Sequence, residues 1–246
     1  MTESGHSAGQ SGPIAEIKAT NPKDSVGCVK PPLSVIPCAV LFEVAEAIDP
    51  TAPILVSLPA PVLFELGLAL LEGACKYGRH NYRSAGVRAS IYYDAMGRHL
   101  LPWWTGEDID PDSGLSHITK AIACLVVLRD SMLLGNWHDD RPPRGTAVAV
   151  SSYVVDDATA SVSASEAIEH LMAWWDGQDL VTDDGPSNVT WAIAKLMLLR
   201  AAMIAGNWHD DRPEKSAPWM DGMKAKAREI LARFPNPLPP HTEVGS

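Results

Sequence analysis

At a fixed offset of 71 residues, with no gap, 25 of the 49 residues in segment 94–142 are identical to those in segment 165–213. The shared positions include His99/His170, Trp103/Trp174, Trp104/Trp175, Gly106/Gly177, Asp112/Asp183 and Arg129/Arg200. Both segments end in Gly-Asn-Trp-His-Asp-Asp-Arg-Pro, at 135–142 and 206–213. Ungapped identity of this size implies a duplicated structural unit, so any fold of the chain must provide two like environments. The differences carry the chemical information. Arg98 becomes Glu169, Glu107 becomes Gln178, Asp110 becomes Val181 and His117 becomes Asn188. An apolar framework is kept while charge is removed or reversed, as expected when one of two sites is lost.

Helical periodicity and helix punctuation predict helices over 37–48, 61–76, 91–104 and about 114–134. Asp112 or Ser113 is placed to cap the last of these. Strand signals are scarce, apart from 147–155. The expected fold is therefore a mainly α-helical bundle with a duplicated helix–acidic loop–helix unit. Its parts would be a disordered tail (1–19), a catalytic segment (20–142), a linker (143–164), a degenerate repeat (165–213), and a C-terminal helix with a Pro-rich tail (214–246). A shorter match relates Val40-Leu41-Phe42-Glu43 to Val62-Leu63-Phe64-Glu65. Chance in a leucine-rich stretch and a second duplication both account for it.

A net charge of −10 disfavours nucleic-acid backbone or an anionic membrane as partner, because phosphate neutralisation needs clustered lysine and arginine. No apolar run is expected to reach the ~18 residues of a membrane span. The four cysteines lack metal-ligand spacing, so a reduced cytoplasm is the default, with Cys75 and Cys124 as small buried hydrophobes.

Glu107-Asp108-Ile109-Asp110-Pro111-Asp112 crowds four carboxylates into six residues. Such a loop either caps the next helix in solvent or holds a cation, and oxygen ligands suit Mg²⁺ or Mn²⁺. Loss of Glu107 and Asp110 in the second segment favours the cation. Asp108 and Asp112 persist as Asp179 and Asp183, which reads as helix capping. His117 is lost along with the charges and joins the candidate catalytic residues, whereas the retention of His99 reads as structural. Lys76, Tyr77, Arg79, Asn81 and Arg83 form a basic–aromatic run suited to phosphate and base, and Arg98 is a further candidate for substrate binding. The plainer reading of that run is a solvated loop with aromatic anchors. His138-Asp139 raises a rival metal dyad of the HD type, which would release tripolyphosphate. Its presence in both segments is explained as well by a structural lock in which Arg141 bonds carbonyls or an Asp. A non-enzymatic helical binding module is the third reading.

The ordered series Asn21-Pro22-Lys23-Asp24, Lys30-Pro31-Pro32-Leu33-Ser34, Lys76-Tyr77-Gly78, Asn81-Tyr82-Arg83, Arg98-His99-Leu100, Gly106-Glu107, Asp110, Ser113-Gly114, His117 and Asp139-Asp140-Arg141 resembles the phage-encoded family of dATP/dGTP diphosphohydrolase N-terminal domains, over about 20–142. The resemblance implies metal-dependent hydrolysis of a purine deoxynucleoside triphosphate to the monophosphate and pyrophosphate. It implies a small-molecule partner and a MazG-like activity, with a homo-oligomer expected. Enzymes of that kind carry Glu-x-x-Glu on one helix and Glu-x-x-Asp on the next. Glu107 and Asp110 supply the second motif. The first is absent, and Glu65 and Glu72 are the nearest helical carboxylates to complete the metal ligands.

Overall fold

Prolines open the helical frame. Pro37 and Pro59 have extended backbones directly before helices α1 (Cys38–Ile48) and α3 (Ala60–Tyr77), and Pro61 sits in the first turn of α3, where no amide hydrogen is needed. In this computed structural model the chain divides into two units, Met1–Lys30 and Pro31–Ser246. The structure describes residues 30–143, 159–183, 185–214 and 220–233, which, Lys30 apart, all belong to the second unit. The tail expected at 1–19, the weak strand at 147–155 and the Pro-rich end lie outside the described residues.

A single turn, α2 (Ile54–Ser57), joins α1 to α3. Gly78 ends α3 with φ +95°, and a short helix α4 (Asn81–Ala85) and strand β1 (Val87–Arg88) follow. Helix α5 (Ala89–Trp104), the acidic loop, α6 (His117–Leu133) and β2 (Trp137–His138) come next, with β2 parallel to β1. Helices α7 (Ala160–Trp175), α8 (Asn188–Ala205) and α9 (Met220–Ala232) complete the described chain. The fold is mainly helical, as expected. Helix α6 starts later than its periodicity suggests because the loop doubles back. The Asp110 amide donates to Leu115 O, and Ile109 pairs with Ser116. Ser116, not Asp112 or Ser113, therefore precedes the first turn.

Helices α6 and α8 pack against each other at the centre. Helices α3 and α5 lie on α6, and α1 and α7 lie on α8. Ile118, Ile122, Leu125 and Leu128 face this core from α6, and Val189, Ile193, Leu196 and Leu199 face it from α8. Contrary to the sequence expectation, α8 is long and apolar enough to cross a membrane by length and composition. Here 61 % of it is buried, as befits a core helix.

Reciprocal ion pairs join the two sides. Arg129 of α6 makes two bonds of 2.7 Å to Glu43 of α1, and Arg200 of α8 makes bonds of 2.7 and 2.6 Å to Glu65 of α3. Thr119 of α6 donates to Glu65, and Thr190 of α8 donates to Glu43. Each glutamate thus takes a hydroxyl from the helix it packs on and a guanidinium from the other central helix. A second exchange uses the shared C-terminal string. Arg141 reaches Trp174 O at 2.6 Å and Asp179 at 2.7 Å, and Arg212 reaches Trp103 O at 2.7 Å and Asp108 at 2.8 Å. Their guanidiniums lie 4.7 and 4.6 Å from the centroids of the buried rings of Trp174 and Trp103. Asp108 and Asp179 are therefore arginine partners, not the helix caps expected from sequence. Asp140 and Asp211 take the capping role: each binds the backbone N–H and hydroxyl of a serine, Ser90 in α5 and Ser161 in α7.

These exchanges predict matched losses. Arg129→Met and Arg200→Met each strand a partly buried carboxylate with one hydroxyl partner, at an expected cost of roughly 1–3 kcal/mol. Urea unfolding should place the two variants close together. If one of them unfolds like the parent protein, the braces do not join the two sides.

Candidate metal centre and its cleft

The tight loop after α5 brings Asp110 under the first turn of α6, where it meets His117 from α6 and His99 from α5. One ligand atom from each of His99, Asp110 and His117 lies within 4.8 Å of the other two, the one such group of His, Cys, Asp or Glu among the described residues. Asp110 and His117 are buried and His99 is partly so. The two imidazole Nδ1 atoms stand 3.1 Å apart. Two nitrogens bound to one ion, each ~2.0–2.1 Å from it, are separated by roughly 2.9–3.4 Å, so this spacing fits a shared cation. His117 Nε2 is buried with no hydrogen-bond partner.

Electrostatics keeps the three groups in ligand form. Burial, only partly offset by Asp110, pushes His99 down to about 4 and holds His117 below its usual value. Burial also opposes the charge on Asp110, but the Ser113 hydroxyl and the two histidines outweigh it and keep the carboxyl below its ordinary range. At neutral pH the cluster is two neutral imidazoles and one carboxylate, a donor set ready for a divalent ion.

The matching positions in the second segment show what the cluster looks like without this chemistry. His170 Nδ1 bonds Asn188 Oδ1 at 2.8 Å, Asn188 Nδ2 donates to Gln178 O, and Val181 replaces Asp110. Trp191, which replaces Lys120, stacks on His170 with ring centroids 5.8 Å apart. All the polar side-chain atoms of Asn188 there are used.

The His-Asp-His group opens into a cleft of about 320 Å³, rimmed by Arg98, Glu107, Asp112 and, from α9, Met220 and Lys224. A second cavity of about 200 Å³ lies on the other side of His99, lined by Glu72, Lys76, Tyr77, Asn81 and Lys120 among others. The structure thus gathers Glu107, Asp110, His117 and Arg98 in one place, with Lys76, Tyr77 and Asn81 next door. Other candidates are engaged elsewhere. Both oxygens of Glu65 are taken by Arg200 and Thr119, and Glu72 is held by Lys76 and Lys120. Arg83 makes a two-pronged pair with the buried Asp130, and Arg79 bonds Ser34. Of the rival dyad, Asp139 is bound by Arg141 and His138 lies in β2, so the structural lock accounts for that string. Cys75 is exposed, contrary to expectation, whereas Cys124 is partly buried and burial pushes its thiol up to about 11.

Residues 49–141 match the family model of dATP/dGTP diphosphohydrolase, N-terminal. The family-matched stretch runs from the turn before α2 to the end of the first Trp-His-Asp-Asp-Arg string, and it contains the whole His-Asp-His cluster. The strings at 21–24 and 30–34, helix α1 and helices α7–α9 lie outside it. No curated protein and no solved structure matches the chain.

Sequence reasoning missed three residues of this region. His99 was set aside because its counterpart is also histidine. Lys120 was available from the same comparison that exposed His117, since it is replaced by Trp191. Lys224 lies far away in sequence, and nothing in the sequence points to it.

The cluster makes two outcomes measurable. His117→Asn reproduces the hydrogen-bonded pair seen at His170–Asn188, so it should keep or raise the melting temperature and abolish binding of Mn²⁺ in titration calorimetry. Retained metal binding would remove His117 from the ligands. In metal-free protein, His99 has a folded value near 4 against 6.5 for the unfolded group. The unfolded chain alone takes up that proton between these values, so this contribution to stability is complete above pH 6.5 and falls away toward pH 4. Urea midpoints across that window should decline less steeply in His99→Asn than in the parent; equal slopes would refute the depressed value.

Proposed function

We infer that the protein is a metal-dependent hydrolase of purine deoxynucleoside triphosphates, releasing the monophosphate and pyrophosphate. The observation that carries this reading is a largely buried His99–Asp110–His117 group, opening into a cleft lined by Arg98 and Lys224 as well as Glu107 and Asp112, within the segment that matches the diphosphohydrolase family. His99, Asp110 and His117 would hold the ion, with Glu107 at the rim in reach of its outer coordination. Two imidazoles and a carboxylate suit Mn²⁺ better than Mg²⁺, which prefers an all-oxygen shell. When bound, the ion would supply charge neutralisation and Lewis acidity toward phosphate and water.

The chain's own residues do the rest. Arg98 from α5 and Lys224 from α9 line the cleft and would offset phosphate charge, a requirement in a protein of net charge −10. Lys120 lies one turn beyond His117 and lines the neighbouring cavity, where Glu72 pairs with it. Glu107 is placed to accept the proton of a water entering the cleft. In the balanced step, a water oxygen bonds to the α-phosphorus while the bond from that phosphorus to the α–β bridging oxygen breaks. Pyrophosphate leaves with that oxygen, its charge met by the arginine and lysines.

The matched segments further support descent from one duplicated unit, in which 94–142 kept the site and 165–213 lost it while keeping the framework. On this view the second segment acts as a scaffold that supplies Arg200 and Arg212 to the first.

Mn²⁺ with dATP or dGTP should yield monophosphate and pyrophosphate in equal amounts, and ¹⁸O from labelled water should enter the monophosphate. Label in pyrophosphate, or release of deoxynucleoside with tripolyphosphate, would refute the reaction. Glu107→Gln should lower kcat by about 10², the scale of removing one electrostatic element of a site, with no loss of melting temperature. An unchanged kcat would leave Glu107 as a solvated rim residue.

A further inference from the structure

The cavity beyond His99 has features that the fold itself does not require. Its walls come from helices α3 to α6, with Tyr77, Tyr82 and Tyr92 as aromatic surface and Ala69, Gly73, Ala123 and Cys124 as small residues. Gly73 is the informative one. It lies inside the 18-residue helix α3, where glycine is less favourable than alanine by about 1 kcal/mol. A glycine there is usually explained by close packing. Gly67, one and a half turns earlier, has that explanation: a Cβ would lie 2.3 Å from Pro32 O. At Gly73 a Cβ would meet nothing within 4 Å. Residues four before it and three and four after it (Ala69, Lys76 and Tyr77) all line the cavity, so a side chain at 73 would project along the same face.

The second segment gives an independent observation. Cys124 of the cavity corresponds to Lys195, Lys120 to Trp191 and Tyr92 to Ser163. In that half the space beside His170 is filled: Trp191 stacks on the imidazole, and Lys195 forms a 2.8 Å pair with Glu166. The open cavity therefore occurs beside the metal-capable His99, while Trp191 and Lys195 occupy the matching positions beside His170. Packing alone would favour filling both.

We propose that this cavity is the subsite for the nucleobase and sugar of the nucleotide, kept open by Gly73 and Cys124 and walled by Tyr77 and Tyr92. This rests on the reading of the His-Asp-His cleft as the phosphate site. His99 is the shared wall, so a nucleotide with its phosphates at the cluster places its base on the far side of that ring. Lys120, held with Lys76 by Glu72, lines the cavity one turn along α6 from His117 and would meet the α-phosphate end. Aromatic faces and small apolar residues suit a flat, weakly polar ring better than a phosphate.

The test uses three variants of the full chain and two probes. Gly73→Leu fills the cavity from α3, Cys124→Met fills it from α6, and Gly73→Ala adds a single carbon in open space. Deoxynucleoside monophosphates probe the base subsite by titration calorimetry, and tripolyphosphate with Mn²⁺ probes the phosphate site alone. Gly73→Leu and Cys124→Met should weaken monophosphate binding by about tenfold or more, while tripolyphosphate affinity stays as in the parent. Gly73→Ala should bind like the parent and melt higher. Undiminished monophosphate binding in both filled variants overturns the subsite, as does a parallel fall in tripolyphosphate affinity. If Cys124→Met melts below the assay temperature, Gly73→Leu decides alone, since its Cβ enters open space. Cavity-dependent binding without hydrolysis would overturn the proposed reaction and leave the subsite standing. Hydrolysis with unchanged kcat/KM in Gly73→Leu would do the reverse.

Discussion

Everything in the described fold hangs on two arginines exchanged between the central helices. Arg129 crosses from α6 to Glu43, and Arg200 crosses from α8 to Glu65, each pair bidentate and largely sheltered from water. An ion pair of this kind contributes little by itself against the cost of desolvating its members. Its value is geometric. A guanidinium fork meets a carboxylate in one plane, so each pair fixes the rotation and height of an outer helix relative to the far central helix. The apolar contacts of α6 with α8 could tolerate some sliding. The braces, with Arg141 and Arg212 clamped over Trp174 and Trp103, could not. That fixed register sets His117 of α6 opposite His99 of α5, and Glu72 of α3 against Lys120.

The framework was legible in the sequence because it is periodic and punctuated. Helices α1, α3 and α5 fell within two residues of their expected limits, since proline openings and glycine ends are local signals. The acidic loop misled at its helix boundary, because its backbone closes on itself from Asp110 to Leu115 and uses up the capping candidates. Half of the site was legible by a different route: Glu107, Asp110 and His117 stood out as charges lost between matched segments. That logic set His99 aside. Retention argued for a structural role, yet one imidazole serves two purposes, bonding an amide at 170 and facing a second imidazole at 99. Glu65 was unreadable for a related reason. A carboxylate on a helix face is the same letter whether it meets a cation in solution or an arginine 135 residues away.

The two sides also divide the energetic load. At His170 an imidazole and an amide are bonded to each other, and a tryptophan covers them. At His99 two imidazoles and a carboxylate are held in a partly buried space, with Nε2 of His117 lacking a partner. Each of these features costs stability when no ligand is present. They are tolerated because the residues that hold the helices in place, the arginines both segments share and the glutamates of α1 and α3, do not belong to the cluster. A site can then lose or keep its charges without shifting the frame. The cavity obeys the same rule. Filling it, as Trp191 and Lys195 fill the other side, would add contacts, and helix α3 would be firmer without Gly73. Local stability has been given up on one side only, along a line running from the cavity through His99 to Asp110. When several departures from good packing fall in one row on an otherwise reciprocal frame, that row is the place where a ligand would offset their cost.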